Sequence, residues 1–465
     1  MKWRFSKAIN ARSWRSSGGT RFRASRFTIA LVVLALSARS LLAEEGSDLF
    51  DQVVRQAKTA AATPYQPNEM RLPDVLQKLN YDTYRNITFR RDRALWHGTK
   101  SPFEVQFFHP GYLFRHSVAM HEVKGGGITP VPFAHKYFRY PDFPVARLGD
   151  ETELGFAGLR ILYPLNQPRR LDEVISFIGS SYFRALGAGQ IYGISARGIA
   201  INTAENLPEE FPVFKEFWLS QPVDEAREMQ LFALLDGPSV SGAYRFTIAP
   251  GRDTTVEVET HLFFRQPVQV LGLAPLTSMF WRGEAQPHPQ HDRRPEVHDS
   301  DGLLIETAAG GQEWHPLQPV EKVTTRLFAQ TSPKNFGLLQ RDRNPAHYRD
   351  REAKYERRPS VRVESLGEWG EGTVRLMQLP ATNEYNDNVV AFWQPQKSPA
   401  AGDELEFKYR LHWFAEGSNK EEASSVGKKL TDESRDLSLW AAGMERSKRA
   451  RGDLSAGLAR NARPR

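Results

Sequence analysis

Cysteine is absent from all 465 residues, so no disulfide can staple the fold and no thiol can act as nucleophile or metal ligand. Stability must then come from burial, and a chain of this length can bury a large core. Helical periodicity is scarce too. Three short apolar stripes carry it: Leu49, Phe50, Val53, Val54 and Ala57; then Val75, Leu76 and Leu79; then Val174, Ile175, Phe177, Ile178 and Phe183. No Gly-x-Ser-x-Gly elbow is present, and Gly125 to Gly127 lack the lysine and following helix of a phosphate cradle. The apolar run at residues 27–38 is too short to span a bilayer, which takes roughly 20 apolar residues.

That run instead completes the three parts of a secretory signal peptide over residues 1–43. Before it lies a cationic stretch with Lys2, Arg4, Lys7, Arg12, Arg15, Arg21, Arg23 and Arg26, and after it come small residues around Ser40 and Ala43. Residues 1–43 hold nine Lys or Arg and no Asp or Glu, so the formal charge of +7 becomes −2 without them. The last twenty residues carry a second basic cluster, from Arg446 to Arg465, with a local charge of +6, which leaves the body at −8. A phosphate-binding surface needs the opposite sign, so nucleic acid is excluded as the main partner.

Strand signals dominate the body. Phe103, Val105 and Phe107 alternate with polar residues, and the stretch YRFTIAPGRDTTVEVETHLFF predicts a hairpin that turns at Pro250 to Asp253. Further strands are predicted over residues 324–329, 336–340, 360–365, 373–379 and 389–393. Many short strands with Gly, Pro and Asn punctuation point to an all-β fold, a large antiparallel sandwich. The clearest alternation, Leu405, Phe407, Tyr409, Leu411 and Trp413, comes after a turn-rich break. Residues 416–465 read as a disordered or loosely helical tail.

Two aspartates stand out. Asp299 in EVHDSDGLLI and Asp387 in NEYNDNVVAFWQP each precede strand-like residues, so each carboxyl would project from a sheet rim. Paired carboxyls at a rim suit glycoside hydrolysis, and Asp301 and Glu384 are the neighbours that compete for the same roles. Trp281, Trp314, Tyr355, Trp369 and Trp393 lie in the same half of the chain and can stack on sugar rings, Trp369 being the one expected to be most exposed. Arg341, Arg343 and Tyr355 are candidate hydroxyl partners, with Glu384 added to the substrate-binding set. His288, His291, His298 and Asp299 resemble a metal cluster, but Pro residues break the segment and no helix sets two His one turn apart. No metal and no cofactor is expected.

From about Phe50 to Trp413 the chain resembles the periplasmic glucan biosynthesis proteins of the OpgG/OpgD (MdoG/MdoD) family. The matching stretches include NYDTYRNITFR, SSYFRALGAGQIYGISARGIAINTA, EEFPVFKEFWL, LLDGPSVSGAYRF, PLTSMFWRGE, HDSDGLLIE, NFGLLQRDR and NDNVVAFW. The resemblance implies a periplasmic protein of Gram-negative bacteria that helps make osmoregulated periplasmic glucans, whose backbone is β-1,2-linked glucose. It also implies a galactose-mutarotase-like, carbohydrate-binding sandwich followed by an immunoglobulin-like β domain. Members look like inverting β-1,2-glucanases. In that pattern the aspartate of the NDN segment, here Asp387, is the general acid. The aspartate of the HDS segment, here Asp299, is the general base acting through an extended relay. Partial burial beside Phe392 and Trp393 is the device expected to keep Asp387 protonated.

The implied division is a signal peptide at 1–43, a sandwich at 44–395, a remnant of the immunoglobulin-like domain at 396–415 and a tail at 416–465. The remnant's strand is predicted to keep an unpaired edge or to lean on the sandwich. The resemblance leaves two functions open: a hydrolase that trims β-1,2-glucan, or a non-catalytic glucan-binding partner of the inner-membrane glucosyltransferase. The G-type and D-type members stay undistinguished, and a homodimer is among the open assembly states.

Overall fold

The computed structural model describes residues 46 and 48–415, apart from 149, 151, 153, 206 and 287–291. The signal-peptide reading over 1–43 and the tail reading over 416–465 lie outside the described residues. The chain divides into two compact units, Met1–Leu49 and Phe50–Arg465. The second holds both large sheets and both aspartates.

One of its sheets has ten strands and the other eleven. Among their described pairings every one is antiparallel except that of Ala119–Lys124 with Val213–Ser220. The sheets pack face to face through aromatic side chains. Phe177 of the ten-stranded sheet lies 5.4 Å from Phe217 and 5.2 Å from Phe246 of the other, ring centre to ring centre. Phe183 meets Trp413 at 6.2 Å. This is the predicted sandwich. The predicted hairpin is present as Val240–Ala249 against Thr254–Phe264.

Two expectations need correction. The stripe Val174, Ile175, Phe177 and Ile178 is not helical; it belongs to the strand Arg170–Ile178. Five successive residues there, Val174 to Ile178, are buried, because both sides of the strand face protein. A doubly buried strand carries a continuous apolar run, which alone cannot be told from a helix.

The second correction concerns residues 396–415. Their strand, Glu404–Phe414, does not keep the unpaired edge that is one of its two expected placements; it joins the sandwich, which is the other. It lies inside the eleven-stranded sheet, hydrogen-bonded along one edge to Thr254–Phe264 and along the other to Ser360–Ser365. Phe407, Tyr409, Leu411 and Trp413 turn into the shared core. Neither edge is unpaired, so the strand is a structural member of the sandwich that ends the described chain. Its alternation was legible; its partners lie about 150 and 50 residues upstream and were not.

Candidate active site

A three-residue segment, Ser278 to Phe280, carries both aspartates. The strand Leu271–Ser278 pairs with Val389–Pro395, with Ser278 opposite Val389. Ala274, at φ 47°, sits at a bulge in this pairing; a bulge bends its strand and re-aims the chain beyond it. Past the strand's end, the Asn388 side chain clamps Phe280. Its Oδ1 accepts the Phe280 N–H at 2.8 Å, and its Nδ2 donates to the carbonyls of Phe280 and Leu379, each at 2.9 Å. Asp387 is the residue immediately before this buried clamp. From the other side, the Asp299 N–H donates to the Met279 carbonyl at 2.7 Å. The Ser278 and Ser300 hydroxyls meet at 2.7 Å. Two carboxyls separated by 88 positions in the chain therefore hang from one short piece of backbone.

Their surroundings differ. Asp299 is 4 % exposed and paired with Arg358, itself 6 % exposed, at 2.5 Å. Burial pushes the Asp299 carboxyl above the ordinary carboxylate range; the Arg358 guanidinium opposes this, the Asp387 carboxylate adds to it by repulsion, and Arg184 opposes it again. Asp387 is exposed, and no described residue donates a hydrogen bond to its carboxyl. The expected burial of Asp387 beside Phe392 and Trp393 is not found. Those two rings lie further along the strand, each 0 % exposed, and turn into the core.

The other candidates separate into groups. Trp281 and Tyr355 join the aspartates. The Trp281 ring is half-buried, with the Arg282 guanidinium 4.8 Å and the Arg294 guanidinium 5.9 Å from its centre. Tyr355 is 1 % exposed under Arg358, so it offers no stacking face. Burial raises its hydroxyl pKa; Arg358 opposes that, the Asp299 and Glu384 carboxylates add to it, and Arg294 opposes it. Both Glu384 carboxylate oxygens are taken by Arg294, at 2.9 and 2.8 Å. Arg343 donates to the backbone carbonyls of Glu356 and Arg358 and to Ser360 Oγ, which ties down the segment carrying Arg358.

Trp393 belongs to the core. Trp369 is not the exposed platform expected of it. It is half-buried against Phe336, Trp393 and Phe407, and its Nε1 donates to the Lys408 carbonyl at 3.1 Å. A ring so surrounded completes the core. Trp314 lies at the sheet edge in Gln312–Pro316, with Arg341 4.5 Å above its ring. It covers Gly302, where an added Cβ would sit 2.2 Å from the indole. Asp301, the rival of Asp299, accepts from the Arg341 N–H at 3.1 Å.

Sequence alone did not single out Arg358, Arg184, Arg294 or Tyr385. Tyr385 is 38 % exposed and stands two residues from Asp387, an aromatic inside the very motif that drew attention. The arginines gave no such signal, since Arg358 meets Asp299 and Arg294 meets Glu384 from 59 and 90 positions away in the chain.

The suspected histidine cluster fails as a metal site on His298, whose ring nitrogens face Gln340 Oε1 at 2.8 Å and Glu296 Oε2 at 2.9 Å. His288 and His291 lie outside the described residues. Among the described residues, Glu296, Asp342 and His347 do bring donor atoms within 4.8 Å of one another, but His347 Nδ1 is already on Asp342 at 2.5 Å.

The architecture gives the class first: an all-β sandwich with two carboxyl groups at one rim. Comparison with known proteins gives the particular family. The description "Periplasmic glucan biosynthesis protein, MdoG" matches residues 49–451, and the chain belongs to that family. It is 46 % identical over 397 residues to glucans biosynthesis protein G of Ralstonia nicotianae, covering 85 % of this chain and 77 % of that protein. It is 41 % identical over 405 residues to glucans biosynthesis protein G of Pseudomonas paraeruginosa, covering 86 % and 76 %. Among solved structures it is similar to a galactose mutarotase related enzyme from Lactobacillus acidophilus, at 8 % identity and a TM-score of 0.23 over 56 % of this chain and 91 % of that one. The protein is periplasmic and takes part in glucan biosynthesis.

Proposed function

We propose that this protein is an inverting β-1,2-glucanase that cuts the glucan backbone, with Asp387 as proton donor and Asp299 as distant base. The observation that carries the reading is the convergence of the two aspartate-bearing segments on Ser278 to Phe280, through the Asp299 N–H on the Met279 carbonyl and the Asn388 N–H and side chain on Ser278 and Phe280. Asp387, exposed and without a hydrogen-bond donor among the described residues, can reach a glycosidic oxygen. Asp299, buried and held by Arg358, cannot approach an anomeric carbon as a nucleophile. That disfavours a retaining mechanism, which needs a carboxylate to form a covalent bond to the sugar.

In the proposed reaction Asp387 gives its proton to the leaving oxygen as the C1–O bond breaks. Water attacks C1 from the opposite face, and its proton passes through hydroxyl groups to Asp299. The new reducing end then has the α configuration. A cavity of about 150 Å³ lined by Tyr81, Tyr84, Phe108, Arg160, Glu173 and Tyr192 does not include either aspartate in its wall. Its Tyr192 lies 5.7 Å below Arg184, whose charge reaches Asp299.

The burial and ion pairing of Asp299 favour one other reading, a non-catalytic glucan-binding protein beside the inner-membrane glucosyltransferase. Release of reducing ends from linear β-1,2-glucan decides between them. Asp387→Asn and Asp299→Asn are expected to lose nearly all release while keeping the fold. Unchanged release would remove both aspartates from the mechanism, and glucan binding without any release by the parent protein would leave the binding role.

A further inference from the structure

The geometry points to Arg294 as a positioning residue that, through Glu384, sets Asp387 in the attitude needed for proton donation. This rests on the reading of Asp387 as the acid. All five guanidinium N–H groups of Arg294 find carboxylates. Nε and Nη2 donate to Asp292 at 3.0 and 2.9 Å, Nη1 donates to Asp350 at 2.9 Å, and Nη1 and Nη2 grip Glu384 side by side. Such a planar two-bonded grip fixes orientation as well as distance.

Each carboxylate belongs to a different part of the site. Asp292 lies seven residues before Asp299 in the chain. Asp350 accepts from the N–H groups of Glu352 and Ala353 at 2.9 and 2.8 Å, and the Ala353 carbonyl accepts from Arg358 Nε at 3.3 Å. Glu384 stands near the tip of the loop that ends in Asp387. That loop is closed at its base, where Leu379 N–H donates to the Asn388 carbonyl at 2.8 Å. Between base and tip the Asp387 carboxyl has no other hold among the described residues. The base clamp fixes where the loop begins and ends, and the Arg294–Glu384 grip fixes how its far end is aimed. Misplacing a reacting group by about 1 Å costs on the order of 100-fold in rate.

The test compares Glu384→Gln and Arg294→Lys with the parent protein on two substrates, linear β-1,2-glucan and an aryl β-1,2-linked glucoside with a 4-nitrophenolate leaving group. A nitrophenolate departs with little protonation, so a misaimed acid matters less for it. Both variants are expected to lose about 10- to 100-fold in kcat on the glucan, with KM changed less than about threefold, and to lose much less on the aryl substrate. A purely structural role would lower both substrates alike. Equal losses, or a change in KM alone, would overturn the proposal, as would unchanged kcat in both variants. Should Arg294→Lys fail to fold, Glu384→Gln, which keeps the side-chain shape, decides. If Asp387→Asn is itself without effect the reading of the acid fails; if it is crippling while these variants are normal, only the positioning role fails.

Discussion

Asp299 and Asp387 sit on the same three residues of backbone yet are held in opposite ways. Asp299 is enclosed, paired with Arg358 and built into a buried polar layer with Ser300 and Ser278. Asp387 is open to solvent, and its loop is aimed by an ion pair three residues away. The contrast separates two demands: a group that must hold a charge in one place is locked into the protein, whereas a group that must meet substrate is left uncovered on a supported loop. It also moves the source of acidity. Burial, the device expected for Asp387, acts on Asp299 instead, so an acid role for Asp387 depends on what the bound sugar itself covers.

Stability should break this pairing most sharply. Arg358→Ala leaves the Asp299 carboxylate buried without its counter-charge and is expected to cost about 3–5 kcal/mol. Asp387→Ala should stay within about 0.5 kcal/mol of the parent. Urea denaturation checks both, and equal losses would erase the distinction. Removing the clamp comes next. Asn388→Ala strands the Phe280 N–H and two carbonyls, with an expected loss of about 1–3 kcal/mol and a drop in glucan cleavage, read on the same samples.

A smaller effect separates the carboxylates by the sign of their pH dependence. Hydrogen bonds from Arg294 hold Asp292 below the ordinary carboxylate range, and Asp350 is held low, against its burial, by the Ala353 N–H and Arg294. A lowered pKa contributes stability present above about pH 4 and lost as the pH falls. Asp299 is raised, so its contribution is present below about pH 4 and lost as the pH rises through its folded value. In urea melts from about pH 6 to 3, the advantage of the parent over Asp292→Asn should shrink while its standing against Asp299→Asn improves. Parallel trends would refute the assigned directions.

How much of this could be read beforehand depends on the range of the interaction. Alternation at Leu405 to Trp413 is local and marked a strand, but whether that strand stood alone or in the main sheet depended on Thr254–Phe264 and Ser360–Ser365. The motifs around Asp299 and Asp387 singled out the carboxyls, while Arg358, which pairs with Asp299, and Arg294, which pairs with Glu384, are ordinary arginines until the fold brings them in. Trp393 and Trp369 show the reverse error: aromatic residues near a motif serve the core of an all-β protein as readily as a sugar platform.

The stereochemistry of the first product gives the most direct trial of two carboxyls working on opposite faces of one sugar. Proton NMR of linear β-1,2-glucan mixed with the protein, recorded before the reducing ends mutarotate, should show the α anomer rising first and the β anomer later. A β-first signal, or no new reducing ends from well-folded protein, would contradict it.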